Sequence, residues 1–197
     1  MLSLVRFARW EEILEEPKPY EPFAFARAIW HYGRGVAHAA SGDAGAARVE
    51  LAAIEGLESE VDEIFMGNVY PARDLLGIAE SLLRGEMAYR SGDAANAVLA
   101  FEEAVALQDA LPYTEPPFWY YPTRQSLGAA LMASNRLAEA QAVFEEDLEQ
   151  YPMNGWSMYG LAEALRRQGD ETGAEQMTGR FKTVWQFADV SLATSIL

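Results

Sequence analysis

The 197-residue chain contains no cysteine, which excludes disulfides, thiolate zinc sites and thiol catalysis together. Positive charge is scarce: 15 Lys and Arg stand against 30 Asp and Glu, for a formal net charge of −15 and a pI near 4.5. A field of that sign repels phosphate backbones and anionic lipid surfaces, so neither nucleic acid nor membrane is expected as a partner. No apolar run reaches the ~18 residues that span a bilayer. Arg6 and Arg9 interrupt the apolar start and Glu11 and Glu12 follow it, so a secretory leader is not expected and a cytoplasmic location is. The sequence has no phosphate-cradling glycine loop, nucleophile elbow or metalloprotease signature. Alternating strand patterns are missing too.

What is present is enough apolar material to bury a core: half of the residues are hydrophobic and 12% are aromatic. A short punctuation mark also recurs. Ser41-Gly42-Asp43, Ser91-Gly92-Asp93 and Gln168-Gly169-Asp170 share a pattern, with an alanine five residues after each glycine at Ala47, Ala97 and Ala174. A fourth copy uses Asn135-Arg136 and again places alanine five residues on, at Ala140. Asn135 and Gly169 are 34 residues apart, and self-similarity at that period marks a helical solenoid.

Between these marks the apolar residues recur at helical spacing. Helices are expected over 23–41 and 44–57, 72–90 and 94–108, 121–134 and 137–149, and 155–167 and 171–188. Pro71 opens the third of these, as suits a first helical turn. The array is read as one domain of helix pairs at 23–57, 71–108, 118–151 and 155–188, with a truncated repeat at 1–22 and a tail at 189–197. The fold class is all-α, an α-α superhelix. Against a 34-residue period, the spacing of the turns implies about 16 and 9 inserted residues. These fall at 55–70 and around 111–117.

The repeated residues resemble those of the tetratricopeptide repeat family. The third copy carries Leu127-Gly128, Ala140, Phe144 and Pro152. The second keeps Gly85, Gly92, Ala97, Phe101 and Ala104, and the first keeps Gly35, Gly42, Ala47 and Leu51. The fourth has Leu161-Ala162, Gly169 and Ala174, with Thr178 where a bulky aromatic is usual. Small residues let paired helices approach, and Phe101 or Phe144 fills the gap beneath the next unit. Residues 7–14 look like the turn and second helix of a further unit whose first helix is largely absent, as in the later part of a longer array.

The resemblance implies a non-enzymatic interaction module that binds a peptide or protein segment in a concave groove lined by the first helices. Carried over by alignment, groove positions fall at Glu86, Tyr89 and Arg90, at Gln125 and Met132, and at Trp156, Tyr159, Glu163, Arg166 and Arg167. Trp156, Tyr159, Glu163 and Arg167 follow i, i+3, i+7, i+11 and so form one stripe. The family's carboxylate clamp is not matched, because Tyr32 and Val36 stand at the first-unit positions. The aromatic stretch 112–122, with Trp119 and Tyr120, followed by Arg124, has two readings. It supplies rigid contact area for a partner, or it plugs the irregular repeat spacing. A small-molecule or cofactor-binding accessory domain closed by this insert is the alternative function.

No catalytic group, metal or cofactor is expected. His31 and His38 lie two turns apart on one helix, too far for chelation from a single helix, and are read as structural. The runs 11–16 and 145–147 are read as solvated acidic faces. Neither end of the array looks capped: Leu2, Val5, Phe7, Trp10 and Leu14 lack a partner helix, and Val190, Leu192, Ile196 and Leu197 follow the last pair. Such surface predicts either a homodimer through one of these ends or a tail folded back over the last helix pair.

Overall fold

The computed structural model describes residues 1–61 and 70–196. Its residues group into two compact units, Met1–Tyr121 and Pro122–Leu197. The first holds α1 (Leu2–Arg6), α2 (Trp10–Glu15), α3 (Ala24–Ala40), α4 (Ala44–Leu57), α5 (Ala72–Arg90) and α6 (Ala94–Asp109). The second holds α7 (Arg124–Ala133), α8 (Leu137–Gln150), α9 (Gly155–Gln168) and α10 (Glu171–Val184). Each helix packs on the next within its hairpin, and the first helices of successive hairpins also meet, α3 on α5 and α7 on α9. This is the expected all-α helical-repeat architecture. Part of the 55–70 insert, residues 62–69, lies outside the described residues.

The recurring turn has one geometry with a simple cause. Gly42, Gly92 and Gly169 have φ of 81°, 81° and 87°, and Asn135 holds the same left-handed region at 57°. That conformation closes a Schellman motif: the Gly42 amide donates to the Ala39 carbonyl and the Asp43 amide to the His38 carbonyl. The same pair of bonds recurs at 92/93, 135/136 and 169/170. The next residue then starts the following helix. Asp43, Asp93 and Asp170 accept from the amides of Ala46, Asn96 and Gly173, satisfying an orphan donor at each N-terminus. Gly-Asp is therefore a two-residue hinge, one residue ending a helix and the next capping another. The alanines five residues past the left-handed position, Ala47, Ala97, Ala140 and Ala174, are all fully buried.

The N-terminal segment carries a fifth copy of this turn. Ala8 sits at φ 52°, and the amides of Ala8 and Arg9 donate to the carbonyls of Val5 and Leu4. Ile13, five residues on, is fully buried. The first helix of this pair is cut to the five residues of α1, yet α1 and α2 both pack on α3. Met1 and Val5 lie against Gly33, where an added Cβ would come within 2.2 Å of the Met1 sulfur. The exposed apolar end expected from the sequence is thus reduced to Phe7 and parts of its neighbours, with Phe7 66% exposed.

Two glycines separate backbone strain from packing. Neither Gly92 nor Gly56 would bring an added Cβ within 4 Å of a neighbour, but only Gly92 has positive φ. Gly92→Ala should cost about 1–2 kcal/mol through the left-handed backbone alone. Gly56→Ala, inside α4, should stabilise by about 0.5–1 kcal/mol. Opposite shifts in thermal unfolding are the expected result, and shifts of one sign would mean the turn geometry is misassigned.

Candidate functional site

In the first unit the expected groove residues lie on α5 and on the chain after α6. Glu86 and Arg90 are one helical turn apart, and the Arg90 Nε donates to the Glu86 carboxylate at 3.2 Å. Tyr89 is half-buried and Arg90 exposed. Trp119 is only 3% exposed. Its ring packs edge-on against Tyr32 of α3, with centroids 5.6 Å apart, and its indole N–H has no hydrogen-bond partner among the described residues. The Tyr120 hydroxyl meets that of Tyr32 at 3.0 Å, and burial pushes both phenols well above their usual pKa. Part of the aromatic stretch is therefore packed into the unit. Tyr113, at its far end, is 85% exposed.

Burial raises the Glu86 carboxyl above its ordinary pKa of 4.5 even though Arg90 pulls it down. A raised carboxyl costs stability once ionised, so the sign is fixed: the cost is absent below about pH 4.5 and grows as pH rises through the folded pKa. Glu86→Gln should be as stable as the wild type near pH 4 and more stable at pH 7. A pH-independent difference would show that burial does not govern this group.

His31 and His38 also find a partner that their spacing alone did not reveal. Glu50 of α4 receives Nδ1 of His31 at 2.6 Å and Nε of Arg34 at 2.8 Å, with Nε2 of His38 at 3.9 Å. Burial alone would raise the Glu50 carboxyl, but the bonds from His31 and Arg34 outweigh it and hold it below its usual value. The cluster ties α3 to α4, which is a structural role.

In the second unit the stripe on α9 is divided among different contacts. Trp156 is 8% exposed and meets the Trp185 ring edge-on at 5.5 Å. Glu163 accepts from Arg166 at 2.6 Å. Arg167 reaches across to the α7–α8 turn, donating to the Met132 carbonyl and to Asn135 Oδ1 at 3.1 and 2.9 Å. Arg124 pairs with Glu146 of α8 at 2.8 Å. Gln125 is 2% exposed, whereas Tyr159 is half-buried.

Gln125 and Tyr159, one from each first helix of the unit, are brought together by residues that sequence reasoning left as a tail. Helix α10 stops at Val184, short of the expected 188. The chain then reverses, with the Trp185 indole donating to the Val190 carbonyl at 2.7 Å. Beyond it the chain crosses α9 and α7. The Tyr159 hydroxyl donates to the Ala193 carbonyl at 3.3 Å, and the Ser195 hydroxyl donates to the Gln125 carbonyl at 2.9 Å. Ser195 is only 2% exposed. The tail folds back, reaching α7 as well as α9 and so extending beyond the last helix pair. Its seat is the face of the first helices.

Helix pairs each closed by one repeated two-residue turn, with first helices packed together within each unit, define a helical-hairpin repeat protein. Residues 126–177 match the tetratricopeptide repeat model, so this segment of the chain is similar to the tetratricopeptide repeat family. No curated protein and no solved structure matches the chain. Among the described residues no helix is long and apolar enough to cross a membrane.

Proposed function

We propose that the chain is a non-enzymatic interaction module that binds an extended peptide or protein segment on the face of its first helices. The similarity of residues 126–177 to a repeat family used for protein association supports the general role. The observation that carries the specific reading is that a stretch of polypeptide already lies across α7 and α9, held through its own main-chain carbonyl and a side-chain hydroxyl. A surface that holds one segment in this way offers the donors and acceptors to hold another. The net charge of −15 favours partners that are neutral to basic overall.

The rival reading, a small-molecule or cofactor pocket closed by residues 112–122, calls for a cavity lined by those aromatics. Trp119 instead packs on Tyr32. A pocket of about 310 Å³ in the first unit is lined by residues such as Phe23, Phe25, Val61 and Ala72. The packing of Trp119 on Tyr32 supports the plug role for that residue.

The test is a peptide-display selection against the folded chain, followed by affinity measurement on Tyr159→Ala. Selected peptides should bind Tyr159→Ala at least ~10-fold more weakly, a loss of about 1.4 kcal/mol, with the circular-dichroism spectrum unchanged. Failure to enrich any peptide, or peptides indifferent to Tyr159, would overturn the reading. Trp156→Ala belongs in the stability series instead, because Trp156 is buried against Trp185.

A further inference from the structure

We propose that residues 189–196 are a built-in competitor for the binding face of the second unit. In the resting chain they occupy α7 and α9, and a partner binds there by displacing them. This inference rests on the reading that the first-helix face takes extended segments.

The segment is seated the way a ligand would be. Val190 and Leu192 are half-buried while Ser191 and Ala193 are exposed, the alternation of an extended chain lying on a surface, and the pattern ends at the bend over 193–195. Its anchor is Ser195, buried where its hydroxyl meets the Gln125 carbonyl, 70 residues away in sequence. Tyr159 holds the main chain at Ala193. Thr194 turns the backbone locally, its hydroxyl bonding to both the carbonyl and the amide of Ile196.

The segment is held on α7 and α9 by neutral hydrogen bonds, from its Ser195 hydroxyl and to its Ala193 carbonyl, of the modest net strength that a competing segment can replace. Gln125 Oε1, in the residue whose carbonyl seats Ser195, is buried and has no hydrogen-bond partner among the described residues. The occupant also states the chemistry that the face accepts. From Val190 onward the segment carries no charge and consists of aliphatic and small hydroxyl residues. The partner segment is therefore a stretch of that kind, with aliphatic and small hydroxyl side chains and no charged ones.

Tethering sets the size of the effect. A short flexible connection gives an attached ligand an effective concentration on the order of millimolar. The apparent affinity for a free segment falls by the fraction of time the face is open.

The experiment compares three proteins: the 197-residue chain, the chain ending at Ala188, and the full-length Ser195→Asp variant, whose carboxylate would face the Gln125 carbonyl and expel the segment. A fluorescein-labelled peptide of residues 189–197 is added in trans and followed by anisotropy. In parallel, the display-selected peptides are titrated against all three. The shortened chain and Ser195→Asp should bind the labelled peptide, and the intact chain should bind it at least ~10-fold more weakly. Selected peptides should gain affinity in the same order. If the three proteins bind selected peptides equally, the competitor idea is overturned while segment binding stands. If none binds any peptide, the underlying reading fails as well. Should the shortened chain not fold, Ser195→Asp against the intact chain decides the same question.

Discussion

Gly128→Leu is expected to destabilise the second unit by about 3 kcal/mol, the upper end of the usual cost of overpacking. An added Cβ on Gly128 would lie 2.2 Å from Cε1 of Phe144, and one on Gly160 would lie 2.3 Å from its Cζ. The ring of Phe144, fully buried, is therefore pinned between glycines of α7 and α9. It cannot swing away from an intruding side chain on one helix without striking the other. Phe144→Ala should cost about 3–5 kcal/mol by the opposite route, leaving a cavity where both first helices lose their common contact. The double mutant Gly128→Leu/Phe144→Ala should lose less than the sum by more than about 1 kcal/mol, because the leucine enters the space the ring vacates. Urea unfolding followed by far-UV circular dichroism measures all three. Strict additivity would show that Gly128 and Phe144 do not share one space.

The second large effect is expected at Asp147. Its carboxylate, fully buried on α8, accepts from the Ser157 hydroxyl at 2.5 Å and from the Asn154 side-chain amide at 2.7 Å. Asn154 in turn caps α9 by accepting from the Trp156 amide at 3.1 Å. One acid thus ties the end of a helix to the start of the next, through Ser157, which is itself fully buried. Asp147→Ala leaves those donors in a dry interior without their acceptor and should cost about 2–4 kcal/mol. Asp147→Asn, which keeps the shape and one acceptor oxygen, should cost clearly less. A loss below about 1 kcal/mol for Asp147→Ala would mean that the network does not secure the α8–α9 junction. Asn154→Ala, which removes the cap and one donor to Asp147 but leaves the Ser157 bond, should cost about 1–2 kcal/mol.

Most of the fold was legible because its turns demand specific residues. A left-handed position takes Gly or Asn, and the helix start that follows takes Asp, so Gly42-Asp43, Gly92-Asp93 and Gly169-Asp170 announced their geometry in the chain itself. Gly128 and Phe144 were readable for a related reason: a ring and a missing side chain at repeat spacing imply close approach. Gly160, the other wall of the Phe144 pocket, carried no such mark, since its partner lies in the preceding hairpin. At the start, a one-turn helix such as α1 has no periodicity to detect, although its turn at Ala8 follows the common pattern.

The candidate site was less legible. Position on a first helix suggests a shared face for Gln125 and Tyr159, but burial there depends on what crosses the helices. Residues 189–196 have neither helical nor strand periodicity in the sequence. Their seat is set by single contacts from Trp185, Tyr159 and Gln125, which lie up to 70 residues away. Trp119 illustrates the same limit. A Pro-flanked tryptophan reads equally well as an exposed anchor or as a plug, and only its contact with Tyr32 shows how much of it is interior.

The most direct test of the binding account is site-specific photo-crosslinking in cells that make the protein. A photo-reactive residue replaces Tyr89 or Glu163 on the first helices, and in separate variants Glu102 or Glu149, which are exposed on the second helices. The account predicts protein adducts concentrated at the Tyr89 and Glu163 positions and largely absent at the other two. Adducts spread evenly over all four positions, or confined to the second helices, would contradict it.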